Sequence, residues 1–216
     1  MPVFFRYLLF FFFSALTVFV QPATAAVSQD EQAAFQQAIA FDLAGKPREA
    51  RGIYDSLLNS YMPMPDAAVP SAINLYALGR FAESMSAFKA IQGSANRRDA
   101  EYASLWVLLL TARNGGADLE RKLAYMAEAM HFSDAANKHI ADMFAKKISA
   151  VQLLKNIVLQ NDVSFDPKKQ DVVTQTVFFA SSYLTWVLND KALAKQMVDK
   201  TRHFFLFESL ERPLME

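Results

Sequence analysis

The sequence predicts an all-α protein in which antiparallel helix hairpins stack as a short α-solenoid with a C-terminal helical cap. Three observations favour this fold class. Apolar residues recur at helical spacing through nearly all of the chain after Val27, the connections between these stretches are short, and no segment has the pattern of two strands joined by a turn.

The individual helices are predicted from their start and stop signals. Ser28 followed by Glu31 has the pattern of a capping box, so the first helix is expected to begin there. Gly45 is expected to end it, and Pro47 suits the first turn of the second helix. A third helix is predicted to end at Gly79. The remaining helices are predicted at 81–91 and near 100–113, 118–131, 134–145, 148–160, 170–188 and 190–205, with Ser133 and Ser149 as caps.

Gly45 and Gly79 are 34 residues apart, and the residues around them correspond at that offset. Small residues fall on small ones, and large apolar residues fall on large ones. Only Ala, Gly or Ser lets two helices cross closely, while the bulky positions fill the space between hairpins. A glycine at the turn supplies the left-handed conformation that lets the chain fold back. The corresponding pairs are Ala38 with Ala72, Phe41 with Leu75, Gly45 with Gly79, Ala50 with Ser84, and Tyr54 with Phe88.

This pattern resembles the tetratricopeptide repeat, a 34-residue helix pair with small, large, glycine, small and aromatic residues in that order. The resemblance covers residues 31–92. A third unit at 101–131 is similar if an insertion near residues 93–99 is allowed, because Gly115 and Gly116 lie 36 and 37 residues after Gly79. It implies that residues 26–131 form helical repeats. Residues 132–216 are then expected to form further helical hairpins and the cap.

In tetratricopeptide proteins the first helix of each pair lines a groove that holds a peptide or a segment of a partner protein. The resemblance therefore implies that groove-facing residues of this chain contact a protein partner. Apolar residues of these helices, such as Phe35 and Leu110, are interpreted as core, whereas polar tips at a groove favour binding. The candidate partner-binding residues are Gln32, Asp42, Tyr76, Trp106 and Arg113.

The composition excludes several classes of function. The chain has no cysteine among its 216 residues, which excludes disulfides, thiol catalysis and thiolate metal sites. Its 22 basic and 22 acidic residues are interspersed, so the sequence predicts no nucleic-acid partner. The three histidines, His131, His139 and His203, include no i, i+4 pair, so neither a metal nor another cofactor is predicted.

Two glutamate–serine pairs keep an enzymatic alternative open. Muramidase-like envelope enzymes carry a catalytic glutamate followed by serine, and this dipeptide occurs at Glu83-Ser84 and at Glu208-Ser209. The first pair lies at a predicted helix crossing, and the second lies in the tail, where little chain is left to form a catalytic lobe. The protein is therefore interpreted as non-enzymatic.

The first 25 residues are interpreted as a secretory signal peptide. Arg6 precedes an apolar run at 7–20, and a small-x-small cleavage site follows at 23–25. The run is shorter than the roughly 20 residues that a helix needs to cross a bilayer. Cleavage near Ala25 would release a protein without a stable membrane span into the periplasm or the medium, whereas an uncleaved signal anchor is the alternative.

These features predict a scaffold or adaptor that binds a protein in the cell envelope, with assembly or secretion as its role by analogy with the fold. A small helical envelope hydrolase and a secreted effector or inhibitor protein are the alternatives. The aromatic tail at 203–210 is expected to fold onto the last hairpin, and a homodimer formed through these aromatics is the competing hypothesis.

Overall fold

The computed structural model describes residues 28–60, 64–158 and 166–215, so the predicted signal peptide lies outside the described residues. Within those ranges the chain forms α-helices and short 3₁₀ turns and contains no β-strand. The all-α prediction is confirmed. The helices are α1 (Gln29–Leu43), α2 (Pro47–Leu58), α3 (Ala68–Ala77), α4 (Phe81–Gln92), α5 (Arg97–Asn114), α6 (Leu119–Ala129), α7 (Ala135–Phe144), α8 (Ala150–Val158), α9 (Pro167–Trp186) and α10 (Lys191–Thr201).

Helices that follow one another in sequence pack side by side, as stacked hairpins require. The most extensive contacts join α1 to α2, α3 to α4, α4 to α5, α8 to α9, and α9 to α10. None of the helices in the described part of the chain is long and apolar enough to cross a membrane.

The turns of the first two hairpins have the same hydrogen-bonded geometry. Gly45 and Gly79 have φ angles of 68° and 74°, as predicted. At the first turn the amide of Lys46 donates to the carbonyl of Phe41 (2.8 Å), and the amide of Gly45 donates to the carbonyl of Asp42 (3.0 Å). Equivalent bonds follow α3. Each turn is thus a Schellman motif, which satisfies carbonyls that the end of a helix leaves free.

The residues that correspond at the 34-residue offset lie where the helices cross. Ala38, Ala50, Tyr54, Ala72, Ser84 and Phe88 are fully buried, whereas Phe41 and Leu75 are half-buried. The hydroxyl of Ser84 donates to the carbonyl of Ala72 at 2.9 Å, so this buried polar side chain bridges α4 and α3. A small residue at each crossing allows that close approach.

Of two predicted helix caps, one is present in the structure and the other is replaced by the next residue. The predicted capping box is present, since the hydroxyl of Ser28 accepts from the amide of Glu31 and the Glu31 carboxylate accepts from the amide of Ser28. The assignment of Ser133 as a cap is wrong. Asp134 caps α7 by accepting from the amide of Asn137 (2.9 Å), because Ser133 is engaged with the buried carboxylate of Glu101.

The long helix α9 covers the inner face of α3 and α5, which we define as the face with Tyr76, Tyr102 and Trp106. The ring of Trp106 lies 5.1 Å from Phe178 and 5.8 Å from Phe179, measured between centroids. Tyr102 also meets Phe179, and Tyr76 meets Phe178. Residues from both sides of position 131 therefore share one large hydrophobic core.

The C-terminal tail, residues 202–215, folds back across the molecule. Phe204 and Phe205 pack against the large core, whereas the side chain of Phe207 is 67% exposed. The amide of Leu206 donates to the hydroxyl of Thr174 in α9 (2.9 Å), and the guanidinium of Arg212 donates to the carbonyl of Leu43 in α1 (3.2 Å). The helix predicted at 190–205 is shorter than expected, because the chain leaves α10 after Thr201 to make these contacts.

Candidate partner-binding cleft

A cleft of about 400 Å³ lies between the C-terminal ends of α1, α3 and α5 and the tail. Its walls combine aromatic, aliphatic and charged side chains. Exposed Ala77 and Gly79 also line it, so solvent reaches it. We call it the Tyr76–Arg113 cleft; its main walls are Ile73, Tyr76, Phe81, Arg113, Leu210 and Leu214.

The guanidinium of Arg113 packs against two aromatic rings. Its central carbon lies 3.7 Å from the ring centroid of Phe81 and 4.4 Å from that of Trp186. The three side chains come from the end of α5, the start of α4 and the end of α9, so the packing of three hairpins assembles this arrangement. Cation–π attraction stabilises this placement, while no ion pair or hydrogen bond to the guanidinium occurs among the residues that the structure describes.

Tyr76 connects the cleft to the core. Its ring packs edge-to-face on Phe81 and on Trp106, with centroids 5.2 Å apart in both cases. Burial raises the pKa of the Tyr76 phenol, and the positive charge of Arg113 acts in the opposite direction. The phenol is therefore neutral at physiological pH and can donate a hydrogen bond.

A second cavity of about 500 Å³ lies on the other side of Tyr76, between α9, α10 and the end of the tail. Tyr76 and Leu214 line both cavities, so these two side chains form the partition. The second cavity contains Lys191, Lys195 and Arg202 but a single acid, Asp199, which pairs with the latter two. The region beyond the partition is thus net positive.

Asp42 also lines the cleft, but its carboxylate is bound within the protein. It accepts hydrogen bonds from the Tyr54 hydroxyl (2.9 Å) and from the Asn74 side-chain amide (2.7 Å). Burial raises the pKa of Asp42 to about 6, although these bonds and the charge of Arg51 act to lower it. Asp42 therefore joins the first hairpin to α3 and has little capacity left for a ligand.

The network around Asp42 includes residues that the sequence did not single out. The guanidinium of Arg51 donates to the carbonyl of Ser71 (3.1 Å), to the hydroxyl of Ser71 (2.8 Å) and to the side-chain oxygen of Asn74 (3.3 Å). Arg51 also pairs with Asp55 in its own helix. At the 34-residue offset Arg51 corresponds to Met85 and Asn74 to Ala40, so the repeat pattern contained no signal for this bridge.

The five predicted partner-binding residues do not form one surface. Tyr76 and Arg113 meet in the cleft, with Asp42 at its edge. Gln32 is exposed near the start of α1 and lines none of the larger clefts of the described chain. Trp106 has no exposed surface, because its ring stacks on Phe88 at 4.9 Å and α9 covers its other side.

Neither glutamate–serine pair lies in a catalytic arrangement. Glu83 is exposed and pairs with Arg80, while the hydroxyl of Ser84 is buried against the carbonyl of Ala72. Glu208 is exposed and Ser209 is buried. Within the described ranges no three histidine, aspartate or glutamate side chains are grouped so that they could hold a metal ion.

No protein-family model matches the chain, and no curated protein matches it at a significant level. The similarity to tetratricopeptide repeats is therefore an interpretation of the repeat pattern and its turns.

Proposed function

We propose that this chain is an exported, non-enzymatic scaffold or adaptor that holds a segment of a protein partner in the Tyr76–Arg113 cleft. The observation that supports this most is the cleft itself. It is solvent-accessible, and it places a half-buried tyrosine beside an arginine without a carboxylate partner among the described residues.

The composition of the cleft suits the binding of a peptide. Tyrosine and arginine account for much of the binding energy at protein interfaces, because they combine large contact areas with directed hydrogen bonds. Ile73, Leu210 and Leu214 add apolar walls. A volume of about 400 Å³ accommodates a few side chains of a bound segment but not a folded domain.

The cellular setting of the proposal comes from the N-terminal pattern. An apolar run with a small-x-small site favours export, which would place the partner in the periplasm or outside the cell. A role in assembly or secretion follows by analogy with other helical-repeat proteins. The hydrolase alternative has less support, because its candidate Glu83 pairs with Arg80 and the serines that follow both candidate glutamates have their hydroxyls engaged in the interior. A secreted inhibitor, the other alternative, would use the same cleft, but its partner would be the enzyme that it inhibits.

Site-specific photo-crosslinking in the native host tests this proposal. A photoreactive amino acid replaces Ala77, which is exposed and lines the cleft, in the full-length chain. The matched control carries it at Tyr125, which is 76% exposed on α6 and lies away from the cleft. We expect a discrete adduct with one protein from position 77 and none from position 125.

The outcome that would contradict the proposal is equally definite. If neither position gives an adduct, or both give the same set of adducts, the cleft is not a specific binding site. Fractionation of the adduct also tests export, because an adduct confined to the cytoplasm would exclude an envelope partner.

A further inference from the structure

We infer that Arg113 is a carboxylate-binding site and that the bound segment presents the side chain of an aspartate or glutamate to it. This inference rests on the proposed function, because the acid is taken to belong to the segment held in the cleft.

The planar guanidinium, packed against two aromatic rings, determines which ligand groups Arg113 can bind. The rings of Phe81 and Trp186 pack against the guanidinium, and its hydrogen-bond donors are the N–H groups at its edge. These donors lie in one plane and form a fork. A carboxylate matches that fork with two parallel hydrogen bonds, whereas a single carbonyl oxygen satisfies only part of it.

The described chain supplies no acid for this position. Asp42, on the same cleft, uses its two oxygens to accept from Tyr54 and Asn74. Glu211, which lies in the part of the tail that borders the cleft, is bonded instead by the hydroxyls of Tyr102 and Ser209. A half-buried cation without a counter-charge is unfavourable, so the site is completed by an external carboxylate.

The surroundings favour a peptide acid over an isolated anion. The Tyr76 phenol can donate a further hydrogen bond, and Lys191 and Lys195 beyond the partition add positive potential. Ile73, Leu210 and Leu214 offer apolar contacts beside the arginine. A segment in which apolar residues flank a glutamate satisfies both features, whereas a small organic acid satisfies only the charge.

A pair of peptides that differ only in the acid tests the inference directly. The probes are the capped pentapeptides Ala-Leu-Glu-Leu-Ala and Ala-Leu-Gln-Leu-Ala, and sodium acetate serves as the free acid. Each is titrated into the full chain while the side-chain N–H signals of the arginines are followed by NMR. The signal that is missing from the Arg113→Lys variant identifies Arg113.

We expect the glutamate peptide to shift the Arg113 signal in a saturable manner and to bind about tenfold or more tightly than the glutamine peptide. Arg113→Lys keeps the charge but loses the planar fork, so it should lose most of this preference. Arg121→Lys, an exposed residue on α6, is the matched control and should behave like the unaltered protein. Circular dichroism checks that each variant is folded.

Equal binding of the two peptides, or an unchanged preference in Arg113→Lys, would overturn the inference. If acetate binds as tightly as the glutamate peptide, the inferred ligand of Arg113 is wrong, because a free acid would then suffice. These results are separable from failure of the proposed function. A specific adduct at position 77 without a preference for glutamate would contradict only the carboxylate site, whereas the absence of an adduct would contradict the partner-binding role itself.

Discussion

Two buried carboxylates show how hydrogen bonding determines the charge state of an interior residue. For Asp42, burial outweighs two side-chain hydrogen bonds, and its pKa rises from 3.8 to about 6. Burial also acts to raise the pKa of Glu101, but four hydrogen bonds from Ser133, Asp134 and Arg97 lower it to about 2. The two acids therefore have opposite effects on the pH dependence of stability.

The raised pKa of Asp42 predicts a loss of stability as the pH rises from 3.8 to about 6. The native state holds this proton more tightly than the unfolded chain, so the contribution is fully present below 3.8 and is lost by about pH 6. Its size is roughly 2–3 kcal/mol. We expect Asp42→Asn to flatten this part of the stability profile, measured by thermal melting between pH 4 and pH 7.

Asp42→Asn should flatten the stability profile only in part, because a second buried acid titrates in the same pH range. Burial also raises the pKa of Glu211, to about 7, so some decline should remain in Asp42→Asn. Asp30→Asn, at an exposed position in the same helix, should leave the profile unchanged. If Asp42→Asn and Asp30→Asn give identical profiles, the carboxylate of Asp42 is not buried as described.

At the scale of the elements, a few adjacent residues specify where a helix ends, but they do not specify which helices pack together. The capping box and the turns at Gly45 and Gly79 could be predicted, because each is specified by a few adjacent residues. A third turn has the same two hydrogen bonds but places Lys146 at φ 62°. No glycine marks that turn, so its left-handed residue could not be predicted from the sequence.

The turn geometry predicts unequal effects of two glycine substitutions. Gly79→Val should destabilise the protein by roughly 1–3 kcal/mol, because a β-branched residue resists a φ of 74°. Gly52 lies within α2, where an added methyl group meets nothing within 4 Å. Gly52→Ala should therefore stabilise the protein by up to about 1 kcal/mol. Denaturant unfolding measures both, and equal midpoints would contradict the shared turn motif.

At the scale of the whole molecule, the long-range contacts are what the sequence could not predict. The 34-residue offset predicted the first two hairpins, but not that α9 would cover the inner face and enclose Trp106. Nor did it predict that the tail would reach Leu43 at the other end of the chain. The cleft exists because these distant segments enclose Trp106 but leave Tyr76 and Arg113 half-buried, so only some of the residues predicted to line a groove are accessible there.

The position of the tail predicts that it stabilises the fold. Truncation after Lys200 removes Phe204 and Phe205 from the core together with the bonds to Thr174 and Leu43. Both phenylalanines are half-buried, so their loss should cost less than the roughly 3–6 kcal/mol of two fully buried ones, and the uncovered apolar surface should promote aggregation. Thermal melting and light scattering measure both effects.

A point variant distinguishes stabilisation of the fold by the tail from dimerisation through its exposed aromatic residue. Phe207→Ala should change stability by less than about 0.5 kcal/mol, because that side chain is exposed. If the truncated chain is a soluble monomer as stable as the full chain, the tail is not part of the cap. If Phe207→Ala instead converts a dimer to a monomer, the exposed aromatic serves self-association.

The affinity of the partner recovered at position 77 tests the central claim most directly, when it is compared between two double variants. Tyr76→Ala with Arg113→Ala removes the polar and aromatic walls of the cleft, whereas Tyr125→Ala with Arg121→Ala removes the same residue types from exposed positions on α6. With the helical circular-dichroism signal retained in both, we predict at least about a 30-fold loss of affinity for the first variant and none for the second. Equal affinity of the two folded variants would contradict the claim that this cleft binds the partner.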